Sequence, residues 1–254
     1  MLFTLLGSGT SQGVPVIGCR CEVCLSKDKK DKRLRTSALI STENTNICID
    51  CGPDFRTQML RAKVPHLNAV LLTHEHSDHI AGLEDLRSFQ FRQQQAIPIY
   101  ATPSVQTAVK HRYAYAFEDN PYPGAVQINL KTISKDTAFQ IENIAIQPIE
   151  LNHGRITVLG FRFKDLSYLT DCKSIDSTEF EKIKGSRFLI LDALHFTEHH
   201  AHLSVKEALE IVAELKPEQT YFVHMSHNMG KNKVVNKTLP KGVKLAWDGL
   251  TIDF

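Results

Sequence analysis

The chain lacks the features that would assign it to a membrane or to the secretory pathway. No stretch is apolar over the roughly 20 residues that a membrane-spanning helix needs. Residues 1–6 are typical of a first strand, and a Gly/Ser turn follows at once, so no secretory signal is indicated. We therefore expect a cytoplasmic protein that does not bind a membrane.

The chain also lacks an excess of charge of either sign, since it has 30 lysines and arginines and 28 aspartates and glutamates. A net charge of +2 gives no argument for nucleic acid as a partner. The one locally basic run, residues 27–33, is interspersed with aspartates. We expect this run to be a solvated loop.

No linker, repeat or low-complexity tract divides the 254 residues, and strand-like segments alternate with helix-like ones. The length and the hydrophobic content of 42% are sufficient for one buried core. We therefore predict one domain over residues 1–254. Strands are predicted at 2–6, 37–41, 46–50, 69–73 and 97–100, and helices at 54–61, at 103–117 and from 204 to the break at Pro217.

The most informative segment is residues 74–79, His-Glu-His-Ser-Asp-His, which follows an apolar strand-like run. Side chains two residues apart in an extended segment point to the same side, so His74 and His76 can bind one metal ion. Asp78 and His79 come where the chain must turn, and they can bind a second ion beside the first. A polar strand end with these residues by chance is the weaker alternative.

Three distant apolar runs also end in a residue that can bind a metal, namely His153, Asp171 and His224. Taken singly, each is more often a hydrogen-bonded polar residue than a ligand. Together they add one imidazole for each ion and a carboxylate between the two. We therefore predict two divalent ions, which zinc, manganese, iron or nickel could supply. The predicted ligands are His74, His76 and His153 for one ion and Asp78, His79 and His224 for the other, with Asp171 bridging them.

Three of the six cysteines, Cys19, Cys21 and Cys24, lie within six residues. In a chain without an export signal this spacing favours a metal over disulfides. A structural zinc ion needs four protein ligands, and His227, three residues after His224, is the predicted fourth. A redox cluster of thiols and a surface position for His227 are the alternatives. The remaining cysteines are predicted to be small buried apolar residues, and these are Cys48, Cys51 and Cys172.

The ligand segments, the opening Leu-Leu-Gly-Ser-Gly-Thr-Ser at residues 5–11 and the turn at 49–52 resemble the metallo-β-lactamase superfamily of metal-dependent hydrolases over nearly the whole chain. The resemblance implies an α/β (α+β) fold, a four-layer αβ/βα sandwich with a dinuclear site at one edge of its two sheets. Asp50 would then accept a hydrogen bond from a ligand imidazole and fix its tautomer. A turn or helix-capping aspartate is an equally good interpretation of Asp50.

Within this superfamily, the cysteine triplet after Gln-Gly-Val-Pro at 12–15 resembles the phosphodiesterases of bacterial phosphonate degradation, which open phosphoribosyl 1,2-cyclic phosphate. The resemblance implies a small cyclic phosphodiester as substrate, a metal-bridging hydroxide as nucleophile and a homodimer. It also implies a histidine proton donor near residues 195–202. His200 aligns best, with His199 and His202 as alternatives, so Asp78, His200 and His202 are the predicted catalytic residues.

Two other branches of the superfamily offer alternative functions. An RNA 3′-end processing nuclease should carry an RNA-gripping arm, and the chain has no glycine-rich or strongly basic insertion that could form one. The non-hydrolytic protein of pyrroloquinoline quinone biosynthesis has a similar cysteine motif. That family looks altered at the dinuclear ligands, whereas all seven positions are filled in this chain.

Overall fold

The strands of the chain form two β-sheets of seven strands each in a computed structural model that describes residues 1–254. The strands are β1 Leu2–Gly7, β2 Ser37–Ser41, β3 Asn46–Ile49, β4 Ala69–Leu71, β5 Pro98–Ala101, β6 Asn129–Thr132, β7 Phe139–Ile141, β8 Ile144–His153, β9 Ile156–Phe163, β10 Leu166–Leu169, β11 Phe188–Asp192, β12 Gln219–Val223, β13 Val243–Leu245 and β14 Thr251–Asp253. The helices are α1 Phe55–Ala62, α2 Ser77–Ile80, α3 Arg87–Gln93, α4 Pro103–Arg112, α5 Ser177–Ile183, α6 Val205–Leu215 and α7 Asn232–Val235.

Each sheet is antiparallel on one side and parallel on the other. The first sheet has the order β14-β1-β2-β3-β4-β5-β6, and the second has the order β13-β12-β11-β10-β9-β8-β7. Strands β3 to β6 are parallel in the first sheet, and strands β10 to β13 are parallel in the second. Because the carboxyl ends of parallel strands meet at one edge, the residues that follow β4, β10 and β12 can form a shared site there.

Side chains that alternate along a strand bury the two faces of the first sheet in different clusters. On β4, Ala69 and Leu71 join the large core that includes Phe161 of the second sheet. Val70 points the other way and packs in a cluster with Phe55 of α1 and with residues of α3 and α4. Two mixed sheets with helices packed against them form the predicted αβ/βα sandwich, so the predicted fold class is confirmed.

The main difference between the predicted and observed helices is at the carboxyl end of the helix that begins at Pro103. The segment predicted as one helix over 103–117 is divided, because the α-helix ends at Arg112, Tyr113 leaves the helical conformation, and a short 3-10 helix follows at Ala114–Phe117. Tyr113 is buried, and its Oη donates to the carbonyl oxygen of Ile80 at 2.8 Å. A tertiary contact of Tyr113 therefore interrupts the predicted helix. The longest helix, α6, has 11 residues, and no helix of the structure could cross a membrane.

The prediction of a solvated loop at residues 27–33 is wrong for two of its members. Arg33 is 1% exposed and Asp31 is 2% exposed. The Arg33 guanidinium donates to the carbonyl oxygens of Ser226 at 2.8 Å and Gly230 at 2.9 Å. These carbonyls need a donor once the segment around His227 is packed against the loop, which explains why a charged side chain is buried here.

Candidate metal centre

The segment between β4 and α2 turns sharply, and the turn brings the rings of His74, His76 and His79 close to one another. His76 keeps an extended backbone, and α2 begins at the next residue. A close approach of the chain at residue 52 holds this turn in place, since a Cβ atom on Gly52 would lie 1.9 Å from the carbonyl oxygen of Asp78. Only glycine fits at this position, so the turn at 49–52 helps to place the ligand segment.

The first predicted ligand set comes together in the structure. The ligand atoms of His74, His76 and His153 lie within 4.8 Å of one another. The ring of His76 is 4.5 Å from that of His74 and 5.2 Å from that of His153, measured between centroids. His74 and His153 are buried and His76 is exposed, so this group opens to solvent on the His76 side.

The second predicted set is linked through Asp171. Nε2 of His79 lies 3.1 Å from Oδ2 of Asp78 and 3.3 Å from Oδ2 of Asp171. The same Asp171 oxygen lies 3.2 Å from Nδ1 of His224. The other oxygen, Oδ1, lies 4.0 Å from Nε2 of His153. The two oxygens of Asp171 therefore face different ligand sets, which is the position that a bridging carboxylate needs.

Three residues of this region leave a strand with a left-handed backbone. The φ angles are 63° at Asp50, 54° at Asp171 and 56° at His224. Aspartate and histidine tolerate this conformation better than most other residues, although it is uncommon outside glycine. Uncommon backbone geometry of this kind clusters at functional sites.

Hydrogen bonds donated by Nδ1 orient three of the imidazole rings. Nδ1 of His79 donates to Oδ2 of Asp50 at 2.7 Å, and Nδ1 of His153 donates to the carbonyl oxygen of Ala201 at 2.8 Å. The Thr73 hydroxyl donates to Oδ2 of Asp50 at 2.9 Å and accepts from Nδ1 of His74 at 2.9 Å. With the proton held on Nδ1, the Nε2 lone pair of each ring is available to a metal ion.

The donor atoms of the site fit a metal ion. Nε2 of His74 and Nε2 of His79 are buried and have no hydrogen-bond partner. A buried polar atom without a partner is costly, and a cation bound between these nitrogens and the carboxylates would remove that cost. Burial lowers the pKa of His74 well below its ordinary value, which keeps the ring in the neutral form that binds metals.

The pKa of His79 indicates that the carboxylates around it favour a positive charge at this place. Burial alone would lower the pKa of His79, but the carboxylates of Asp171, Asp50 and Asp78 outweigh it and raise the pKa well above the ordinary value. Three carboxylates that converge on one buried ring favour a cation there. A divalent ion would supply that charge in place of a proton.

Among the three candidate proton donors, the structure brings His202 to the ligands. The His202 ring lies 4.6 Å from that of His153 and stacks 4.7 Å from that of His224. Its Nδ1 donates to Oδ2 of Asp192 at 2.9 Å. His200, which aligns best by sequence, is exposed, and its ring is tilted against that of His199 at 4.3 Å between centroids.

Asp192 is a residue that the sequence analysis missed. It is fully buried and also accepts from the backbone N–H of Cys172 at 2.8 Å. It ends the apolar strand β11, and an apolar strand that ends in a carboxylate is the signal that identified Asp171. The same reasoning applied to β11 would have found it.

The cysteine triplet meets His227 at a second cluster of ligand atoms. Nδ1 of His227 lies 3.2 Å from Sγ of Cys19, 3.5 Å from Sγ of Cys21 and 3.6 Å from Sγ of Cys24. A hydrogen bond from the backbone of Cys24 is the largest cause that lowers the pKa of Cys21 to about 6, while burial opposes it. The thiolate that results is the form that binds zinc. The other three cysteines are buried, which confirms that prediction, and these are Cys48, Cys51 and Cys172.

Comparisons with known proteins agree with this architecture. Residues 45–225 match the model of a beta-lactamase superfamily domain. A solved structure of a new diphosphatase from the PhnP family is 36% identical, with a TM-score of 0.93 over 100% of this chain and 96% of that one. Coenzyme PQQ synthesis protein B of Methylorubrum extorquens is 25% identical over 76% of this chain and 72% of that protein.

A longer relative also matches nearly the whole chain. The octanoyltransferase of Porphyromonas gingivalis is 40% identical over 97% of this chain. The match covers 50% of that protein, so the chain spans about half of its length. From the matched domain and the similarity to the diphosphatase, the chain belongs to the metallo-β-lactamase superfamily of metal-dependent hydrolases, in its PhnP-like group.

Proposed function

We propose that the chain is a dinuclear metal-dependent phosphodiesterase that hydrolyses small cyclic phosphodiesters, of the phosphoribosyl 1,2-cyclic phosphate or 2′,3′-cyclic nucleotide type. The observation that carries the proposal is the pair of buried Nε2 atoms of His74 and His79, which lack partners beside a carboxylate that faces both ligand sets. Similarity to a PhnP-family diphosphatase supports phosphate chemistry.

Some residues of the site would bind the ions, and others would orient the side chains that bind them. Two divalent ions, when bound, supply activation of water near pH 7 and stabilise negative charge on the phosphate. Asp50, Thr73 and the carbonyl of Ala201 hold the rings of the ligand histidines, and Asp171 keeps the two sets together. The proposed ligands are His74, His76 and His153 for one ion and Asp78, His79 and His224 for the other.

We assign the proton donor to His202. Its Nδ1 donates to Asp192, and with a second proton on Nε2 the ring is an imidazolium that this carboxylate stabilises. The Nε2 proton would pass to the oxygen that departs from phosphorus, and the ring would return to the neutral form with its proton on Nδ1. The ring lies beside His153 and His224, which belong to different proposed ligand sets. A donor at this place would complete ring opening and leave a phosphate monoester.

The substitution His202→Gln tests this assignment. We expect kcat for a 2′,3′-cyclic nucleotide to fall by about 10²- to 10⁴-fold, because an alkoxide leaving group needs a proton. Hydrolysis of bis-p-nitrophenyl phosphate should fall much less, because p-nitrophenolate departs without one. His200→Gln is the matched control and should leave both rates close to those of the wild type. Equal losses for both substrates in His202→Gln would contradict a role as acid.

Three other functions have to be weighed, and two of them come from the names of relatives. Half of the Porphyromonas gingivalis octanoyltransferase lies outside the match, and we do not propose acyl transfer for this chain. A role of the PQQ synthesis protein B type is disfavoured because seven ligand positions of the dinuclear site are filled. RNA processing is disfavoured because the chain lacks an RNA-gripping arm. A homodimer and a cytoplasmic location stay predictions.

The deciding experiment is a screen of substrates on one preparation. The protein is loaded in turn with Mn²⁺, Zn²⁺ and Ni²⁺, its metal content is measured, and hydrolysis of bis-p-nitrophenyl phosphate, 2′,3′-cyclic nucleotides and a precursor transfer RNA is followed. We expect two catalytic ions plus one zinc per chain and turnover of the small diesters. Asp171→Asn should abolish turnover. No turnover of any small diester with any of the three metals would overturn the proposal.

A further inference from the structure

Asp248 carries a buried carboxylate that has no role in the proposed function. Its side chain is 5% exposed, and it lies in the turn between β13 and β14. Oδ1 accepts from the backbone N–H of Ser8 at 2.9 Å and from the Ser8 hydroxyl at 2.7 Å. Oδ2 accepts from the backbone N–H of Leu34 at 2.8 Å and from Nη1 of Arg61 at 3.2 Å. One carboxylate therefore joins the segment after β1, the segment before β2 and the end of α1.

The turn that carries Asp248 is itself attached to β1. The backbone N–H of Gly249 donates to the carbonyl oxygen of Leu5 at 2.8 Å, and the N–H of Leu5 donates to the carbonyl oxygen of Leu250 at 2.8 Å. Gly249 has a φ angle of 90°, which glycine adopts without steric cost. The carboxylate is thus held at a fixed place beside the end of β1.

The segment after β1 supports the backbone at a candidate ligand. The carbonyl oxygen of Ser8 accepts from the backbone N–H of Met225 at 3.0 Å, and the N–H of Thr10 donates to the carbonyl oxygen of Met225 at 3.2 Å. Met225 directly follows His224, whose left-handed backbone has a φ angle of 56°. Such a conformation persists only where the surrounding structure enforces it, so the bonds to Met225 help to keep His224 in place.

The segment before β2 contacts the imidazole ring of the same residue. The carbonyl oxygen of Leu34 accepts from the backbone N–H of Gly9 at 2.8 Å, so the two segments are also joined to each other. The Thr36 hydroxyl donates to the carbonyl oxygen of Gly9 at 2.6 Å, and its oxygen lies 3.2 Å from Nδ1 of His224. Thr36 and His224 are each 1% exposed, so solvent does not compete for these contacts. Asp248 is therefore connected to His224 by two hydrogen-bonded routes, one to its backbone and one to its ring.

We propose that Asp248 is a positioning residue for His224 and thereby sets the affinity of the centre for one of its two ions. The inference rests on the proposed function, in which His224 binds the second ion. The ligands of the first ion are oriented by the Thr73 hydroxyl and the carbonyl oxygen of Ala201, and neither is hydrogen-bonded to Asp248. Loss of the Asp248 carboxylate should therefore weaken the second ion and leave the first unchanged.

A metal titration tests the inference without any turnover. Mn²⁺ is added to protein whose catalytic ions have been removed, and free Mn²⁺ is followed by its electron paramagnetic resonance signal. Mn²⁺ is used because thiolates, such as those of the cysteine triplet, select zinc. We expect two bound ions in the wild type, and in Asp248→Asn an affinity about 10- to 100-fold lower for one of them. Asp253→Asn, at a side chain that is 91% exposed, is the matched control and should bind both ions as the wild type does.

A double variant shows whether Asp248 acts through His224. His224→Ala should weaken the same ion, and Asp248→Asn should then add no further loss, because the ligand that it positions is already absent. An additional loss in the double variant would overturn the inference, as would an equal loss of both ions, or of neither, in Asp248→Asn alone. A loss confined to one ion would support it even if no diester is hydrolysed. Fewer than two bound ions in the wild type would overturn both the inference and the proposed function.

Thermal unfolding separates positioning from general stability. Val109→Ala truncates a fully buried side chain of α4 and should lower Tm while both affinities stay at the wild-type values. If Asp248→Asn does not fold, Ser8→Ala takes its place, because it removes one of the four bonds to the carboxylate. We expect Ser8→Ala to weaken the second ion about 2- to 10-fold. Wild-type affinity for both ions in Ser8→Ala, or equal losses of one ion in Ser8→Ala and Val109→Ala, would contradict the role of Asp248.

Discussion

At the scale of single residues, the carboxylate of Asp50 has the largest part in orienting the imidazole rings of the candidate centre. Burial raises the pKa of Asp50, and the donors of His79 and Thr73 act against that rise. Its Oδ1 accepts from the backbone N–H of Thr73 at 2.9 Å, and its Oδ2 accepts from Nδ1 of His79 at 2.7 Å. One buried carboxylate thereby orients the ring of one candidate ligand, His79, directly and that of a second, His74, through the Thr73 hydroxyl.

The substitution Asp50→Asn keeps the shape of the side chain but replaces one acceptor oxygen with a donor. We expect the affinity for the catalytic ions or the rate of hydrolysis to fall about 10- to 100-fold, as it does when partners of metal ligands are removed elsewhere. Metal titration and kcat measure the effect. Asp253→Asn, at a side chain that is 91% exposed, is the control. Wild-type affinity and rate in Asp50→Asn would show that the orientation of these rings does not depend on the carboxylate.

At the scale of elements, the segment after β12 connects the two candidate metal sites. It carries His224 of the candidate centre and, three residues later, His227 of the cysteine cluster. Thr36 places its hydroxyl 3.2 Å from Nδ1 of His224, and Arg33 donates to carbonyl oxygens on either side of His227. The segment 33–36 and a zinc ion at the cysteines would together fix the path on which His224 depends.

The substitution Cys21→Ser should remove one zinc ion per chain. If that ion saturates its site 100- to 1,000-fold above its dissociation constant, we expect a loss of about 3–4 kcal/mol and a fall in Tm of about 10 °C. Activity should fall only as a consequence, because four protein ligands leave no open position for a substrate. Metal analysis and thermal unfolding measure both effects, with the exposed Arg20→Gln as control. One zinc fewer with an unchanged Tm would contradict a structural role.

At the scale of the whole molecule, the candidate centre lies where the two sheets meet. His74 and His79 follow β4 of the first sheet, whereas His153, Asp171 and His224 come from the second sheet. Ions bound by both groups would join the two halves of the sandwich in addition to the core between them. Binding to the folded state alone also shifts unfolding by mass action.

Loading with Mn²⁺ should therefore raise Tm. At 100 times the dissociation constant we expect about 2.7 kcal/mol, or about 5–11 °C, and a chelator should reverse the rise. The rise should persist in Cys21→Ser, where the cysteine site is disabled, and it should be lost in His74→Ala. An equal rise in His74→Ala would place the stabilising ion elsewhere in the protein.

The sequence by itself determined the features that depend on local spacing. The residues 74–79, the cysteine triplet and the alternation of apolar side chains each act within a few residues, so they indicate ligands and strands without any knowledge of the fold. The strand ends that supply His153, Asp171 and His224 follow from the same periodicity.

Only the tertiary structure decided which side chains meet across long separations in the chain. The family resemblance favoured His200, but the path of the loop and the partner Asp192 bring His202 to the candidate ligands. Arg33 is part of a charged run, yet it is buried because carbonyls almost 200 residues away need its donors. The contact of Arg112 with Ser77 joins residues 35 apart. These contacts depend on packing between distant segments, and no local sequence pattern predicts that packing.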